Sequence, residues 1–147
     1  MKWDSSFAIG IEAIDNQHEK IFEHLLAIEN SVTKRDPWHI LRFFLTQMSD
    51  YMKFHLAVEE ALLEIIRYPD YAEHCVEHAR LMEQIAELQD QLEKAGSGRA
   101  PVGQPLPAEN LVDFFEDWFV RHVLSSDREY AAYVKEEFPA LFGKRPA

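Results

Sequence analysis

A single cysteine, Cys75, means that no internal disulfide can staple this chain, and it suits a reducing compartment. Cys75 itself is expected as a small core or near-core residue. Basic residues are scarce: 15 Lys and Arg stand against 26 Asp and Glu, a formal charge of -11. An acidic excess of that size repels phosphate backbones and anionic lipid surfaces, so no nucleic-acid partner is expected. No apolar run approaches the roughly 20 residues that span a bilayer. The opening Met1-Lys2-Trp3-Asp4 also lacks the apolar stretch of a signal peptide, and the sequence predicts a cytoplasmic protein without membrane insertion. Sustained period-two alternation bounded by turn residues is missing too, which removes the pattern of a half-buried strand.

What remains is a helical pattern. With 147 residues, 47% apolar and 28% charged, the chain has the balance of one globular domain, 1-147. Residues 1-11 form a leader with Trp3, Phe7 and Ile9, expected to dock on the rest. A first helix over about 12-34 carries His18, Ile21, Phe22, Leu25, Ile28 and Val32 on one stripe. Asp36-Pro37 reads as a helix start, the Asp capping and the Pro needing no partner at the first helical position. The second helix, about 37-67, then turns Leu41, Phe44, Leu45, Met48, Met52, His55, Glu59, Leu62 and Ile66 inward and stops at Tyr68-Pro69.

Asp70 and Glu73 make a capping-box pattern for a third helix over about 70-94, whose seam runs Tyr71, His74, His78, Leu81, Ile85, Leu88, Leu92. Residues 95-107 hold three Gly and three Pro and read as a loop. A fourth helix, about 108-124, puts Leu111, Phe114, Phe115, Trp118 and His122 on one face, and a short C-terminal helix covers about 126-138. The predicted class is all-α: an up-down-up-down four-helix bundle with the leader packed on it.

Five of the seven histidines fall on these inward stripes. Residues four apart on a helix lie about 40° apart around its axis, so His55 with Glu59 and His74 with His78 project side by side. His18 and His122 add an imidazole each from the other two helices, and Asp127 a second carboxylate. An unpaired imidazole or carboxylate in an apolar core costs several kcal/mol, so a set of seven needs something to satisfy it. Five imidazoles and two carboxylates suit two adjacent first-row transition metal ions. His24 and His39 lie off the stripes and are expected solvent-facing and metal-free. Glu60, one position off the inward face, is expected to be solvated. His122 and Asp127 are five apart, about 140° on a regular helix, so the helix must widen or break between them. Ser126 with Glu129 offers a capping box for a restart.

At this point the chain resembles a bacterial hemerythrin. The resemblance is carried by Trp3, Ile9-Gly10-Ile11, Ile14-Asp15-Asn16-Gln17-His18, His55 to Glu59, Tyr68-Pro69, His74 to His78, and Trp118 with His122, Asp127 and Tyr130. It implies a di-iron centre in which His74, His78 and His122 hold one iron and His18 and His55 the other. Glu59 and Asp127 bridge the two ions together with an oxo or hydroxo group, and the two-histidine iron keeps an open position for O₂. Carboxylate-rich di-iron bundles favour oxygen activation, whereas five neutral imidazoles in seven donors favour reversible binding. The resemblance therefore implies an O₂-binding protein rather than an enzyme, against the alternatives of a sensing module, a peroxide or nitric oxide reductase, and a structural zinc bundle. The chain departs from the family pattern at Phe119, where many members carry Leu, at Leu81, where an aromatic is common, and in the length of loop 95-107.

Overall fold

A computed structural model describes residues 3-96 and 108-141. Among these residues five α-helices follow one another: α1 (Glu12–Thr33), α2 (Trp38–Ile65), α3 (Tyr71–Gly96), α4 (Ala108–His122) and α5 (Arg128–Glu137). Single 3-10 turns at Ser5–Phe7 and Pro139–Leu141 flank them, and a π turn, Val123–Asp127, joins α4 to α5. The first three helices connect through a few residues each, so neighbours run antiparallel, with α1 packed on α2, α2 on α3 and α1 on α4. This is a helical bundle. No helix among the described residues is long and apolar enough to cross a membrane.

The leader is clamped to α1 by one side chain. The Asp15 carboxylate accepts from the backbone N–H of Ile9 (2.8 Å) and of Gly10 (3.1 Å). Gly10 stands at φ 97°, where a side chain would clash, and so lets both N–H groups reach one carboxylate. Ile9 and Ile11 enter the core, while Trp3 and Phe7 pack on Phe22 at ring distances of 5.4 and 4.9 Å.

Helix ends decide the connections. At the end of α1, Arg35 N–H donates to Val32 O (3.1 Å) and Asp36 N–H to Ser31 O (3.0 Å), a Schellman pair around Arg35 at φ 55°. α2 ends the same way: Arg67, φ 56°, donates to Glu64 O and Tyr68 to Leu63 O. The expected Asp36 cap is therefore corrected. Asp36 belongs to the closing motif of α1, and α2 opens from Pro37, whose carbonyl accepts from Ile40 and Leu41 and which offers no side-chain cap.

α3 continues to Gly96, two residues into the stretch expected as loop, and residues 97-107 lie outside the described residues. The core is a continuous column of Ile14, Ile21, Phe22, Ile28, Leu45, Met48, Met52, Leu63, Leu81, Ile85, Phe115 and Phe119, each at most 2% exposed. Its middle is polar.

Candidate metal centre

Four helices and the π turn each deliver their share of that polar middle. α1 brings His18, α2 His55 and Glu59, α3 His74 and His78, α4 ends on His122, and the π turn ends on Asp127. All seven side chains are 4% exposed or less. They form two groups of donor atoms in which every member lies within 4.8 Å of the others: Glu59, His74, His78 and His122 in one, His18, His55, Glu59 and Asp127 in the second.

The two carboxylates are split between the groups oxygen by oxygen. Glu59 Oε1 stands 2.6 Å from His74 Nε2, 3.0 Å from His78 Nε2 and 3.8 Å from His122 Nε2, while its Oε2 stands 3.2 Å from His55 Nε2 and 3.9 Å from His18 Nε2. Asp127 Oδ1 lies 2.8 Å from His122 Nε2 and 3.5 Å from His74 Nε2, and Oδ2 lies 3.1 Å from His18 Nε2. Each carboxylate therefore spans both groups.

A metal pair fits these residues on structural grounds. His18 Nε2, His78 Nε2, His122 Nε2 and both Asp127 oxygens are buried without a hydrogen-bond partner, although opposite atoms stand near one another. Atoms this close that still make no directed hydrogen bond are aimed at shared points between them, as ligand atoms are. Buried polar groups left unmet would cost about 1–3 kcal/mol each, which a bound cation removes. Burial alone would push the Glu59 carboxyl up, but imidazoles at His122, His55, His74 and His78 hold it well below its usual range. Burial and the Glu59 charge likewise oppose ionisation of Asp127, and His122 and His18 prevail. His122 rises well above an ordinary imidazole because Asp127, Glu59 and Glu77 outweigh its burial. Both carboxylates are thus held ionised at the centre by the imidazoles around them.

His122 and Asp127 meet because the π turn inserts one extra residue, so the residue five on takes the place that four on has in an α-helix. The capping box expected from Ser126 and Glu129 is corrected. No side chain caps α5, and the Ser126 hydroxyl donates instead to both oxygens of Glu77 (3.0 and 2.8 Å).

An outer layer of contacts escaped the sequence reading. His122 Nδ1 donates to Glu77 Oε1 (2.8 Å), His55 Nδ1 to Gln17 Oε1 (2.7 Å), and Tyr130 Oη to Glu59 Oε2 (3.2 Å). Glu60, expected to be solvated, is one-third exposed with Oε1 3.4 Å from His78 Nδ1. Glu60 also lines a cleft of about 290 Å³ with Lys53, Cys75, His78 and Met82. Cys75 is half-buried, and burial pushes its thiol up. Gln17 and Tyr130 stand in the motifs that carry the resemblance, and Gln17 and Glu77 each immediately precede an inward histidine, but nothing in the sequence pairs them with their partners on other helices. His39 is exposed, while His24 is half-buried against Tyr51 (5.3 Å between rings).

Aromatic rings close the remaining sides. Trp118 lies flat on His122 (4.9 Å, 12°), and Phe119 sets its edge on His18 (5.4 Å, 86°) with Phe22 behind it (4.8 Å). Residues 9–134 match the profile of the Hemerythrin HHE cation binding domain. The chain belongs to the hemerythrin family. A bacteriohemerythrin of Clostridium acetobutylicum is 29% identical over 134 residues, covering 87% of this chain and 96% of that one. A hemerythrin of Sipunculus nudus is 28% identical over 128 residues, covering 87% and 88%. A solved hemerythrin carrying a leucine-to-tyrosine mutation superposes with a TM-score of 0.75 at 27% identity, covering 90% of this chain and 95% of that one. The hemerythrin family binds O₂ through a di-iron centre, and its members are mostly O₂-binding proteins rather than enzymes.

Proposed function

We propose that this hemerythrin holds two iron ions and binds O₂ reversibly as a cytoplasmic carrier or store, without turning O₂ over as an enzyme. His74, His78 and His122 would hold one ion and His18 and His55 the other, with the carboxylates of Glu59 and Asp127 shared between the two groups. The observation that carries this reading is the oxygen-by-oxygen division of Glu59 and Asp127 between a three-histidine and a two-histidine group. Counting protein donors, the two-histidine position has one fewer and so has room for a ligand. A di-iron pair held there would supply the two-electron exchange that reversible O₂ binding needs.

The chain's own residues make that exchange reversible. Phe119 and Phe22 wall the His18 side, and Trp3 and Phe7 lie behind Phe22, so water and protons that would carry off a reduced oxygen species are kept away. Two titratable neighbours of the ligands are committed: Glu77 to His122 and Ser126, and Tyr130 to Glu59, its phenol held protonated well above the usual range by burial and by the charges of Glu59 and Asp127. The single thiol suits a reducing compartment such as the cytoplasm.

An anaerobic ferrous sample exposed to O₂ and then to argon tests the reading. A coloured species with charge-transfer absorption should form and then reverse. Irreversible bleaching, or steady O₂ consumption with a reductant, would replace the carrier by an oxidase or reductase.

A further inference from the structure

The outer hydrogen bonds of the two histidine groups differ in charge. Every cluster-facing nitrogen is Nε2, so each of the five imidazoles turns its Nδ1 outward. On the two-histidine side the outward N–H of His55 meets a neutral amide, Gln17 Oε1, at 2.7 Å. On the three-histidine side that of His122 meets a carboxylate, Glu77 Oε1, at 2.8 Å, and the Glu60 carboxylate stands 3.4 Å from His78 Nδ1. Glu77 is also fixed from behind, because Ser126 Oγ donates to both of its oxygens and Ser126 belongs to the π turn that carries Asp127. One side chain of α3 thereby orients a ligand at the end of α4 and anchors the turn that delivers a bridging carboxylate.

A carboxylate accepts the Nδ1 proton more strongly than an amide does, and the imidazole that gives it up in part becomes the better donor at Nε2. We propose that Glu77, locked by Ser126, is a positioning residue that makes the three-histidine metal position the more electron-rich of the two, with Gln17 as its neutral counterpart, and so sets the reduction potential of the pair. The inference rests on the ligand set proposed above. The consequence would be a built-in asymmetry, with the three-histidine position the more electron-rich and the two-histidine position the more electron-poor.

The test compares iron-loaded wild type, Glu77→Gln, Ser126→Ala and Gln17→Glu by iron content, circular dichroism and anaerobic redox titration. Glu77→Gln keeps the shape and the acceptor while removing the charge. It should keep the helical spectrum, bind metal about 10- to 100-fold more weakly, and shift the midpoint potential upward. Ser126→Ala should shift it upward by less, and Gln17→Glu downward. In zinc-loaded protein, where iron redox plays no part, the Nδ1 proton of His122 should move upfield in Glu77→Gln. Two irons per chain with an unmoved potential in Glu77→Gln, or an unmoved Nδ1 proton, would overturn this inference alone. A folded wild type that takes up no iron would overturn the ligand set and this inference with it.

Discussion

α1 to α3 and the α4–α5 segment solve one problem in different ways. In the first three helices the proposed ligands sit where regular geometry puts them: His55 and Glu59, and His74 and His78, are one helical turn apart and need no distortion. The last two donors are five apart, and the backbone changes its hydrogen-bonding period between them. Regular helices thus make the centre robust, while the π turn makes it adjustable, because a single residue there sets the phase of everything that follows.

Removing the donor shared by both groups is the harshest way to break the regular part. Glu59→Ala should abolish binding of both metals and cost about 3–5 kcal/mol, since it leaves a nest of imidazoles without their anion. His78→Ala should lose metal as well, whereas the exposed His39→Ala should keep both metal content and melting temperature. Metal analysis with thermal melts reads this, and full metal retention in Glu59→Ala would refute the bridging role.

The irregular part is broken by changing its length. Deleting Ser125 should convert the π turn to α-helix while Asp127 stays in phase with His122, now four residues away. Inserting an alanine after Ser125 should instead swing Asp127 and α5 by about 100° and lose metal. Metal content sorts the outcomes: equal loss in both variants would mean that the turn serves something other than phase.

This contrast also explains what could be read in advance. Buried stripes and i, i+4 pairs follow from a fixed period, so the helical bundle and the convergence of His18, His55, Glu59, His74 and His78 were legible. The conflict between His122 and Asp127 was legible too, as a broken period, but not its resolution. A π turn depends on tertiary partners such as Glu77, which lies 49 positions from Ser126. The same local rule misled at Ser126 and Asp36. Both have capping side chains at plausible positions, yet the Ser126 hydroxyl goes to Glu77 and the Asp36 N–H goes to closing α1.

Metal loading should reverse how the fold responds to pH. In metal-free protein the His122 pKa is raised well above 6.5: burial opposes this, but Asp127, Glu59 and Glu77 outweigh it. Its contribution is complete below pH 6.5 and is lost as pH rises through the raised value. Glu77 is lowered from 4.5 to about 2, chiefly by its hydrogen bond from His122, so its contribution is complete above pH 4.5 and fades as pH falls toward 2. Metal-free protein should therefore be most stable between about pH 4.5 and 6.5. With metal bound the imidazoles are neutral and protons compete with the ion, so stability should climb from pH 6 to 8. Urea midpoints with and without zinc read the crossing of the two curves, and parallel curves would argue against metal at these imidazoles.

Phe119 joins the two parts of the molecule, since it belongs to α4 yet sets its ring edge on His18 of α1. Phe119→Leu should cost about 1–2 kcal/mol through the gap it leaves. It should also raise the autoxidation rate of the O₂-bound form several-fold by admitting water beside the two-histidine position. An unchanged rate would assign the exclusion of water to other residues.

The smallest effect lies at the ends of the regular helices, and it is a gain. Arg35 and Arg67 occupy the left-handed position of their Schellman motifs, where a Cβ is crowded by the neighbouring carbonyl. Glycine relieves that crowding but gains entropy in the unfolded chain, so Arg35→Gly and Arg67→Gly should each stabilise by only about 0.5–1 kcal/mol. Neither side chain contributes to the centre, so metal content should not change, and a rise in melting temperature with unaltered stoichiometry is the expected reading. If Arg67→Gly destabilises instead, its side chain must hold the α2–α3 corner, and with it the spacing between Glu59 and His74 on which the shared carboxylate depends.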